Sequence, residues 1–88
     1  MARNNSPEKV FRVGYVSASV FVNVSKRQEH GETVERDFRS VSLQRSYQDD
    51  KGKWQYSNNL TLGDLANACR ALKLAQAFVE EQEAVVVG

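Results

Sequence analysis

The chain has very little of the chemistry that metal centres and most enzymes use. Its 88 residues include one cysteine and one histidine. A lone Cys69 excludes an intramolecular disulfide, offers no metal cluster and fits a reducing compartment. His30 lies in a polar stretch beside Gly31, with no second histidine or cysteine near it in the sequence, so a metal site is not expected. No phosphate-binding glycine motif occurs either, and we expect neither an enzyme nor a bound cofactor.

Long hydrophobic runs are also missing. No apolar stretch approaches the ~20 residues that cross a bilayer. The polar opening, MARNNSPEK, lacks the apolar segment of a secretory signal, so we expect a cytoplasmic protein. The length predicts one domain, over residues 9–83, with tails at 1–8 and 84–88. A core this small is near the lower limit for independent stability, and self-association is a natural remedy.

The chain also lacks a large excess of positive or negative charge. The formal net charge is +1. Bases exceed acids before Trp54, and acids exceed bases after it. This asymmetry permits a polyanionic partner, but on charge alone a solvated surface of mixed charge is the simpler interpretation.

Alternation with a period of two predicts a strand at the start of the domain. From Lys9 to Ser25 small apolar residues alternate with serines, and Tyr15 and Phe21 interrupt the serine side. A division of this segment at Gly14, or within Ser17 to Ser19, would give four strands rather than three. A polar loop is predicted at residues 26–32. The predicted core side holds Val10, Val16, Ala18, Val20, Val22 and Val24.

A second strand is predicted from about Thr33 to Gln48. Its core side holds Val41 and Leu43, and serines again line the other side. Phe38 is out of phase with Val41, which predicts a bulge or bend near Arg39.

A tight turn and a third strand follow. Asp49 to Gly52 suits a hairpin turn in which glycine supplies the positive φ. The third strand is predicted from Lys53 to Leu60, with Trp54 and Tyr56 on the same side as Leu60. Because of that shared side, we expect at least one of the two rings to pack in the core.

One long helix is predicted from Thr61 to about Glu83. Thr61 and Asp64 form a capping-box-like pair at its start, and the acidic residues at its end predict a frayed last turn. Its apolar arc is wider than one sheet face needs, so we expect a homodimer through residues 62–79, with Cys69 at a core position. The two apolar stripes are Leu62, Leu65, Cys69, Leu72, Val79 and Ala68, Ala71, Ala75, Phe78.

Three short patterns, in this order along the chain, carry a family resemblance. They are Tyr15-Val16-Ser17 with Phe21, then Val41-x-Leu43-x-x-x-Tyr47-x-Asp49-x-x-Gly52, then Leu60-Thr61-Leu62. Together they resemble the transcriptional positive cofactor four family of single-stranded DNA-binding proteins. The resemblance covers roughly Val13 to Phe78, and its motifs are short and degenerate.

The resemblance implies an α+β fold, a function and a set of contact residues. The fold is a curved antiparallel sheet of three or four strands with a C-terminal helix, paired into a homodimer through the helices. The function is sequence-tolerant binding of single-stranded DNA in transcription or genome maintenance. Phe21 and Tyr47 stand where the family stacks bases, whereas Gln44 and Gln55 stand where it has cations. The candidate contacts are Tyr15, Phe21, Lys26, Arg39, Arg45, Tyr47, Lys53 and Trp54.

Each of these candidates also has a structural explanation. Tyr15 and Phe21 would equally cover a sheet edge or pack in an oligomer, and Arg39 and Arg45 would equally form ion pairs on the strand surface. Two other functions stay open. One is a protein–protein interaction module that docks a polypeptide on the serine side or on a sheet edge, and the other is a structural dimer without a ligand. The sequence does not choose between DNA and RNA.

Overall fold

The computed structural model describes residues 6–83 as a four-stranded antiparallel sheet followed by one C-terminal helix. The predicted α+β fold and the division of the first segment at Gly14 are confirmed. The parts of the predicted tails at 1–5 and 84–88 lie outside the described residues. In chain order, which is also the order in the sheet, the strands are β1 (Lys9–Val13), β2 (Val16–Glu29), β3 (Glu32–Gln48) and β4 (Trp54–Ser57), and the helix is α1 (Leu62–Glu83).

A tight turn at Gly14 resets the alternation between β1 and β2. The φ of Gly14 is +61°, a left-handed conformation that favours glycine, and a Cβ atom there would lie 2.6 Å from the side-chain nitrogen of Asn67 on α1, which would have to move. In β1, which precedes this turn, Phe11 and Val13 pack against the core, whereas Val10 is exposed. The prediction that Val10 belongs to the core is therefore wrong.

β2 and β3 form one continuous hairpin that reaches beyond the rest of the sheet. Every residue of β2 has a partner in β3, whereas β1 covers only Val16–Val20 and β4 covers only Arg45–Gln48. The hairpin closes at His30 and Gly31, with φ of +52° and +80°. The loop predicted at residues 26–32 is wrong in its extent, because most of that polar stretch continues the strand pairing.

The bulge predicted near Arg39 is also wrong. The register is constant along the hairpin, with Phe38 opposite Asn23 and Val41 opposite Val20. Phe38 therefore lies on the face opposite the core without a break in the ladder, and its side chain is exposed.

The core is small and consists of valine and alanine. The valine face of β2 packs against α1, and the fully buried Val16 and Val20 each stabilise the fold by about 1.5–3 kcal/mol. The rings of Phe11 and Phe78 close one side in an edge contact, with centroids 5.9 Å apart. Among residues 6–83 the buried hydrophobic residues are Val16, Ala18, Val20, Ala68, Ala71 and Ala75.

α1 buries its alanine stripe and leaves its leucine stripe exposed. Leu62 is 87% exposed, and Leu65 and Leu72 are exposed as well. Cys69 lies between them and is also exposed, so within one chain the prediction of a core Cys69 is wrong. Along the sequence these four residues are three, four and three positions apart, which is the spacing of residues that line the contact between two packed helices.

Both ends of α1 are tied down. The Asp64 carboxylate accepts hydrogen bonds from the backbone nitrogen and the hydroxyl of Thr61, each at 2.8 Å. The predicted capping pair is thus confirmed, with Asp64 as the acceptor. At the other end the Glu83 carboxylate accepts a hydrogen bond from the backbone nitrogen of Arg39 at 3.0 Å, and the structure shows helix, not frayed chain, as far as Glu83.

Candidate nucleic-acid interface

The sheet has one face covered by α1 and one face without a covering element among residues 6–83. Side chains alternate between the faces, and the register assigns the serines of β2 and β3 to the uncovered one. We call this surface the open face. Its members across the four strands include Arg12, Ser17, Ser19, Phe21, Phe38, Ser40, Ser42, Gln44, Ser46, Trp54 and Tyr56.

Trp54 and Tyr56 lie on the open face rather than in the core. They are 52% and 60% exposed. β4 ends at Ser57, so Leu60, which does pack against the core, is no longer part of that strand. Its position therefore carries no information about the two rings, and the expectation that at least one of them packs in the core is wrong.

Three exposed rings gather where the β1–β2 turn approaches β4. Tyr15 is 63% exposed. Its ring centroid lies 5.9 Å from that of Trp54, with the ring planes inclined at 32°. Tyr56 lines the same hollow as these two. Rings at this separation attract each other, so the Tyr15–Trp54 pair is a preformed aromatic surface that remains in contact with solvent.

Two adjoining hollows surround this pair. The open hollow, about 360 Å³, lies on the open face, and Tyr56 and Arg12 line it beside Tyr15, Ser46 and Trp54. The end hollow, about 280 Å³, lies at the end of the sheet. The residues that line it are Tyr15, Arg45, Ser46, Tyr47, Gln48, Trp54 and Asp64.

The end hollow exists because the sheet has a step. β2 begins at Val16, and the amide of Ser46 donates to the carbonyl of Tyr15 at 2.8 Å just beyond it. β3 continues to Gln48, where its only strand partner is β4. The last residues of β3 therefore have no strand beside them on the β2 side, and their side chains border the hollow.

Four of the eight candidate contact residues meet at the end hollow. They are Tyr15, Arg45, Tyr47 and Trp54. Tyr47 belongs by register to the covered side of the sheet, and it reaches the hollow only because it lies near the end of β3. The structure therefore brings together rings from both sides of the sheet at its edge, while their role as nucleic-acid contacts stays a prediction.

Three other candidates lie apart from this cluster. Phe21 is half-buried on the open face, six residues along β2 from Tyr15, which corresponds to ~20 Å of strand. Lys26 is near the far end of the hairpin, with its Nζ 3.5 Å from a Glu35 carboxylate oxygen. Lys53 is the last residue before β4 and is exposed.

Arg39 fastens the segment before β1 to the sheet. Its Nε and Nη2 donate to the two carboxylate oxygens of Glu8 at 2.7 and 3.1 Å. The hydrogen bond from Arg39 is the main cause that lowers the pKa of Glu8, and the same bond raises the pKa of Arg39. Glu8, which the sequence assigns to the N-terminal tail, is thus held by the domain, and the guanidinium is engaged within the chain.

Arg45 is likewise engaged within the chain. Its Nε lies 3.1 Å from an Asp64 carboxylate oxygen and donates to the Asn59 carbonyl at 3.2 Å. The guanidinium carbon lies 5.3 Å from the ring centroid of Tyr47. Hydrogen bonds from Thr61 lower the pKa of Asp64 most, and the charge of Arg45 lowers it further. For Arg39 and Arg45 the structure therefore shows the ion pairs that were the alternative to phosphate contacts.

Arg12 is a cation of the site that sequence reasoning missed. It lines the open hollow with Tyr15 and Tyr56. Among residues 6–83 no carboxylate forms an ion pair with it. Its side of the sheet depends on where the turn at Gly14 resets the alternation, and the valine pattern alone did not place that turn.

The β3–β4 turn is organised by Asp49. Its carboxylate accepts hydrogen bonds from the backbone nitrogens of Lys51 and Lys53, both at 2.9 Å, and from the Gln55 side chain at 3.2 Å. These bonds lower the pKa of Asp49, and the Lys53 amide has the largest effect. Because Trp54 follows directly, the turn fixes the strand position that carries the indole.

Comparison with known proteins adds no assignment to this surface. No protein-family model, no curated protein and no solved structure matches the chain. In the described part of the chain, no group of three histidine, cysteine or acidic side chains is placed to hold a metal ion. Nor does any helix there have both the length and the apolar character needed to cross a bilayer.

Proposed function

We propose that this protein binds single-stranded nucleic acid, without strong sequence preference, on its open face and at the adjoining end hollow. The observation that carries the proposal is the cluster of exposed rings, Tyr15, Trp54 and Tyr56, beside Arg12, which has no carboxylate partner among residues 6–83. Every nucleobase has a flat face that stacks on such rings, and a guanidinium binds the phosphate between bases. A single strand exposes both groups, whereas a duplex keeps its base faces stacked inside.

The rest of the open face supports a flexible polar ligand. Hydroxyl groups both donate and accept hydrogen bonds, and the Asn23 amide already donates to Ser40 at 2.9 Å. Beyond the serines, Phe21 and Phe38 add rings on the same face. Hydroxyl groups flanked by two groups of rings suit a strand that stacks at separate points and forms polar contacts between them.

The resemblance to the positive cofactor four family supports the same proposal at the level of function. It contributes the expectation of a role in transcription or genome maintenance, and the polar opening of the sequence adds that of a cytoplasmic location. The resemblance also contributes the homodimer, for which the exposed leucine stripe of α1 offers a self-complementary surface. The observed sheet and helix order is the one that the family would have.

The direct test is fluorescence anisotropy of a labelled single-stranded oligonucleotide titrated with the protein at low and at moderate salt. We expect saturable binding that weakens steeply as salt rises, because phosphate contacts release counterions. A duplex of the same sequence is the control and should bind more weakly. Absence of single-strand binding at low salt, or equal binding of the duplex, would refute the proposal.

A second candidate function is the docking of another polypeptide on the open face. Exposed tyrosine and tryptophan favour it, because these residues are enriched at protein interfaces and supply much of their binding energy. Salt separates the two functions, since docking through apolar surface changes little between low and moderate salt whereas phosphate binding falls.

A further inference from the structure

We infer that the open hollow is a nucleotide subsite, in which one unpaired base stacks against Trp54 and its phosphate binds Arg12. This inference rests on the proposed function and makes it specific, because it assigns the binding of one nucleotide to one hollow and to two residues. Neither Arg12 nor Tyr56 was among the eight candidate contacts that the sequence suggested.

The size and walls of the hollow suit one planar ring system. Its volume of about 360 Å³ is at the lower end of the ~300–1,000 Å³ typical of small-molecule sites. Tyr15 and Trp54 are already in mutual contact, and Tyr56 lines the same space. Since the rings stand partly in solvent without a ligand, a base that stacks on them removes apolar surface from water on both partners.

The charge of Arg12 selects among the ligands that aromatic rings attract. A hollow of three rings also suits a quaternary ammonium or a methylated lysine, but a guanidinium in the same wall repels a cation. An uncharged apolar side chain would cover Arg12 without compensating its charge, which is costly. A ligand with a flat ring at one end and an anion next to it satisfies both the rings and Arg12, and a nucleotide is such a ligand.

The end hollow is a weaker candidate for the same ligand. The cation in its wall, Arg45, is already paired with Asp64 at 3.1 Å and lies over the Tyr47 ring. A phosphate there would have to compete with that carboxylate. Phosphate recognition is therefore better placed at Arg12, on the other side of the Tyr15–Trp54 pair.

The backbone around the open hollow is held in advance of binding. The carbonyl of Tyr15 accepts a hydrogen bond from Ser46 at 2.8 Å, and the turn at Gly14 packs against Asn67 of α1. Asp49 fixes the turn that precedes Trp54 through two bonds of 2.9 Å. Preorganised rings lose little conformational entropy when a ligand stacks on them, which favours binding.

The single tryptophan makes the inference directly measurable. Trp54 is the only tryptophan of the chain, so intrinsic tryptophan emission reports on the two hollows that it lines, and the Arg12 variants below assign the signal to the open one. We would titrate the protein with oligothymidylate of about 12 nucleotides, within the known ~4–16 nucleotide site sizes. Tryptophan emission and the anisotropy of a label on the oligonucleotide would be followed in parallel. We expect emission to be quenched with the same midpoint as the anisotropy change.

The two signals separate failure of the inference from failure of the proposed function. Anisotropy that rises while Trp54 emission stays constant would mean that nucleic acid binds elsewhere, so the subsite is wrong and the function stands. If neither signal changes, both the subsite and the function are wrong.

Variants test the two contacts separately. Trp54→Ala should weaken binding about tenfold, as expected for one lost base stack, whereas Trp54→Phe keeps a ring and should retain most of the affinity. Arg12→Gln should lower the slope of log affinity against log salt by about one unit, and Arg12→Lys should restore it.

Arg70→Gln is the matched control for the charge change. Arg70 is an exposed cation on α1, away from the open face, and its loss alters the net charge as much as the loss of Arg12 does. The salt slope should therefore stay unchanged in Arg70→Gln. Equal effects of Arg12→Gln and Arg70→Gln, or unchanged affinity in Trp54→Ala, would overturn the inference.

Discussion

Arg39 and Arg45 on the covered face of the sheet and Arg12 on its open face differ in how the fold uses them. On the face covered by α1, Arg39 is paired with Glu8 and Arg45 with Asp64. On the open face Arg12 has no such partner within the described residues, and Trp54 and Tyr56 stand in solvent. Groups that the fold itself satisfies stabilise the fold, and groups that it leaves unsatisfied are available to a ligand.

This contrast divides the residues that sequence reasoning treated as one set. In the sequence Arg39 and Arg45 look equivalent to any other strand cation. The acidic partners of both are distant in sequence, so the alternation within a strand does not predict them. Arg12 attracted no attention because its neighbours in β1 are apolar. Arg39 and Arg45 are engaged in ion pairs within the fold, so the phosphate contact that we propose falls to Arg12.

The largest expected effect concerns the exposed leucine stripe of α1. If two copies pair through it, the mass in solution is twice the chain mass of 9.9 kDa. Leu65→Glu combined with Leu72→Glu should return the protein to the mass of one chain, because it places charges in a helix seam. Light scattering after size-exclusion chromatography measures this. Arg70→Glu, on another side of the helix, is the control, and a parent protein of single-chain mass would contradict the dimer.

The next largest effect distinguishes the two faces at adjacent positions. Val20 is fully buried on the covered face, so Val20→Ala should lower the free energy of unfolding by about 2 kcal/mol. Affinity for a single strand should be unchanged under conditions where the variant is folded. Urea unfolding measures the stability and anisotropy measures the affinity. An effect on affinity larger than that on stability would contradict the separation of a stabilising face from a binding face.

Phe21 is the neighbour of Val20 on the open face, where it is half-buried. Phe21→Ala should weaken single-strand binding by about fivefold, the lower end of the range for one stacked base. Because the ring is half-buried, the loss of stability should be smaller than in Val20→Ala. Phe21→Leu is the control for lost volume, since it keeps an apolar side chain but removes the flat ring. Parental affinity in Phe21→Ala would limit the binding surface to the Tyr15–Trp54 region.

Acid should affect stability through carboxylates on the covered face and in the β3–β4 turn. The pKa values of Glu8, Asp49 and Asp64 are all lowered in the folded chain. A lowered folded pKa contributes stability above the unfolded pKa and loses it as pH falls through the folded value. Stability should therefore be level above about pH 5 and decline below about pH 4, near and below the ordinary range of these groups.

Urea unfolding as a function of pH measures that decline. Asp64→Asn should be less stable than the parent near neutral pH and should show a shallower acid decline, because it lacks one of the titrating groups. Asp50→Asn changes an exposed turn residue for which no side-chain contact is described, and it serves as the matched control. A parental acid profile in Asp64→Asn would show that this carboxylate contributes nothing to the pH dependence.

The fold was largely predictable because its strongest signals are local. Alternation of valine and serine marks β2, Asp49 to Gly52 marks the turn, and Thr61 with Asp64 marks the start of α1. Each of these depends on residues within a few positions of one another. The error at Val10 arose because the side of β1 depends on the turn at Gly14, and the bulge near Arg39 was predicted because Phe38 was expected on the core side, whereas it lies on the open face.

The candidate site was predictable only in part because its members come from three separate strands or turns. Tyr15, Tyr47 and Trp54 were recognised as rings, but their meeting point depends on the step where β3 continues past the start of β2. At least one of Trp54 and Tyr56 was expected in the core because both share a side with Leu60 in the predicted strand, since the end of β4 at Ser57 has no strong breaker in the sequence. Whether a ring is exposed depends on how the whole chain packs, and the alternation of residues along a strand carries no information about that packing.

The central claim is that the open face around Trp54 is where a single strand binds, and nuclear magnetic resonance tests it most directly. In ¹⁵N-labelled protein the Trp54 indole N–H gives one side-chain signal, because the chain has one tryptophan. On titration with oligothymidylate at low salt, we expect this signal to shift together with the amides of Arg12, Tyr15 and Ser46. Shifts confined to the leucine stripe of α1, with the indole signal unmoved, would contradict the account.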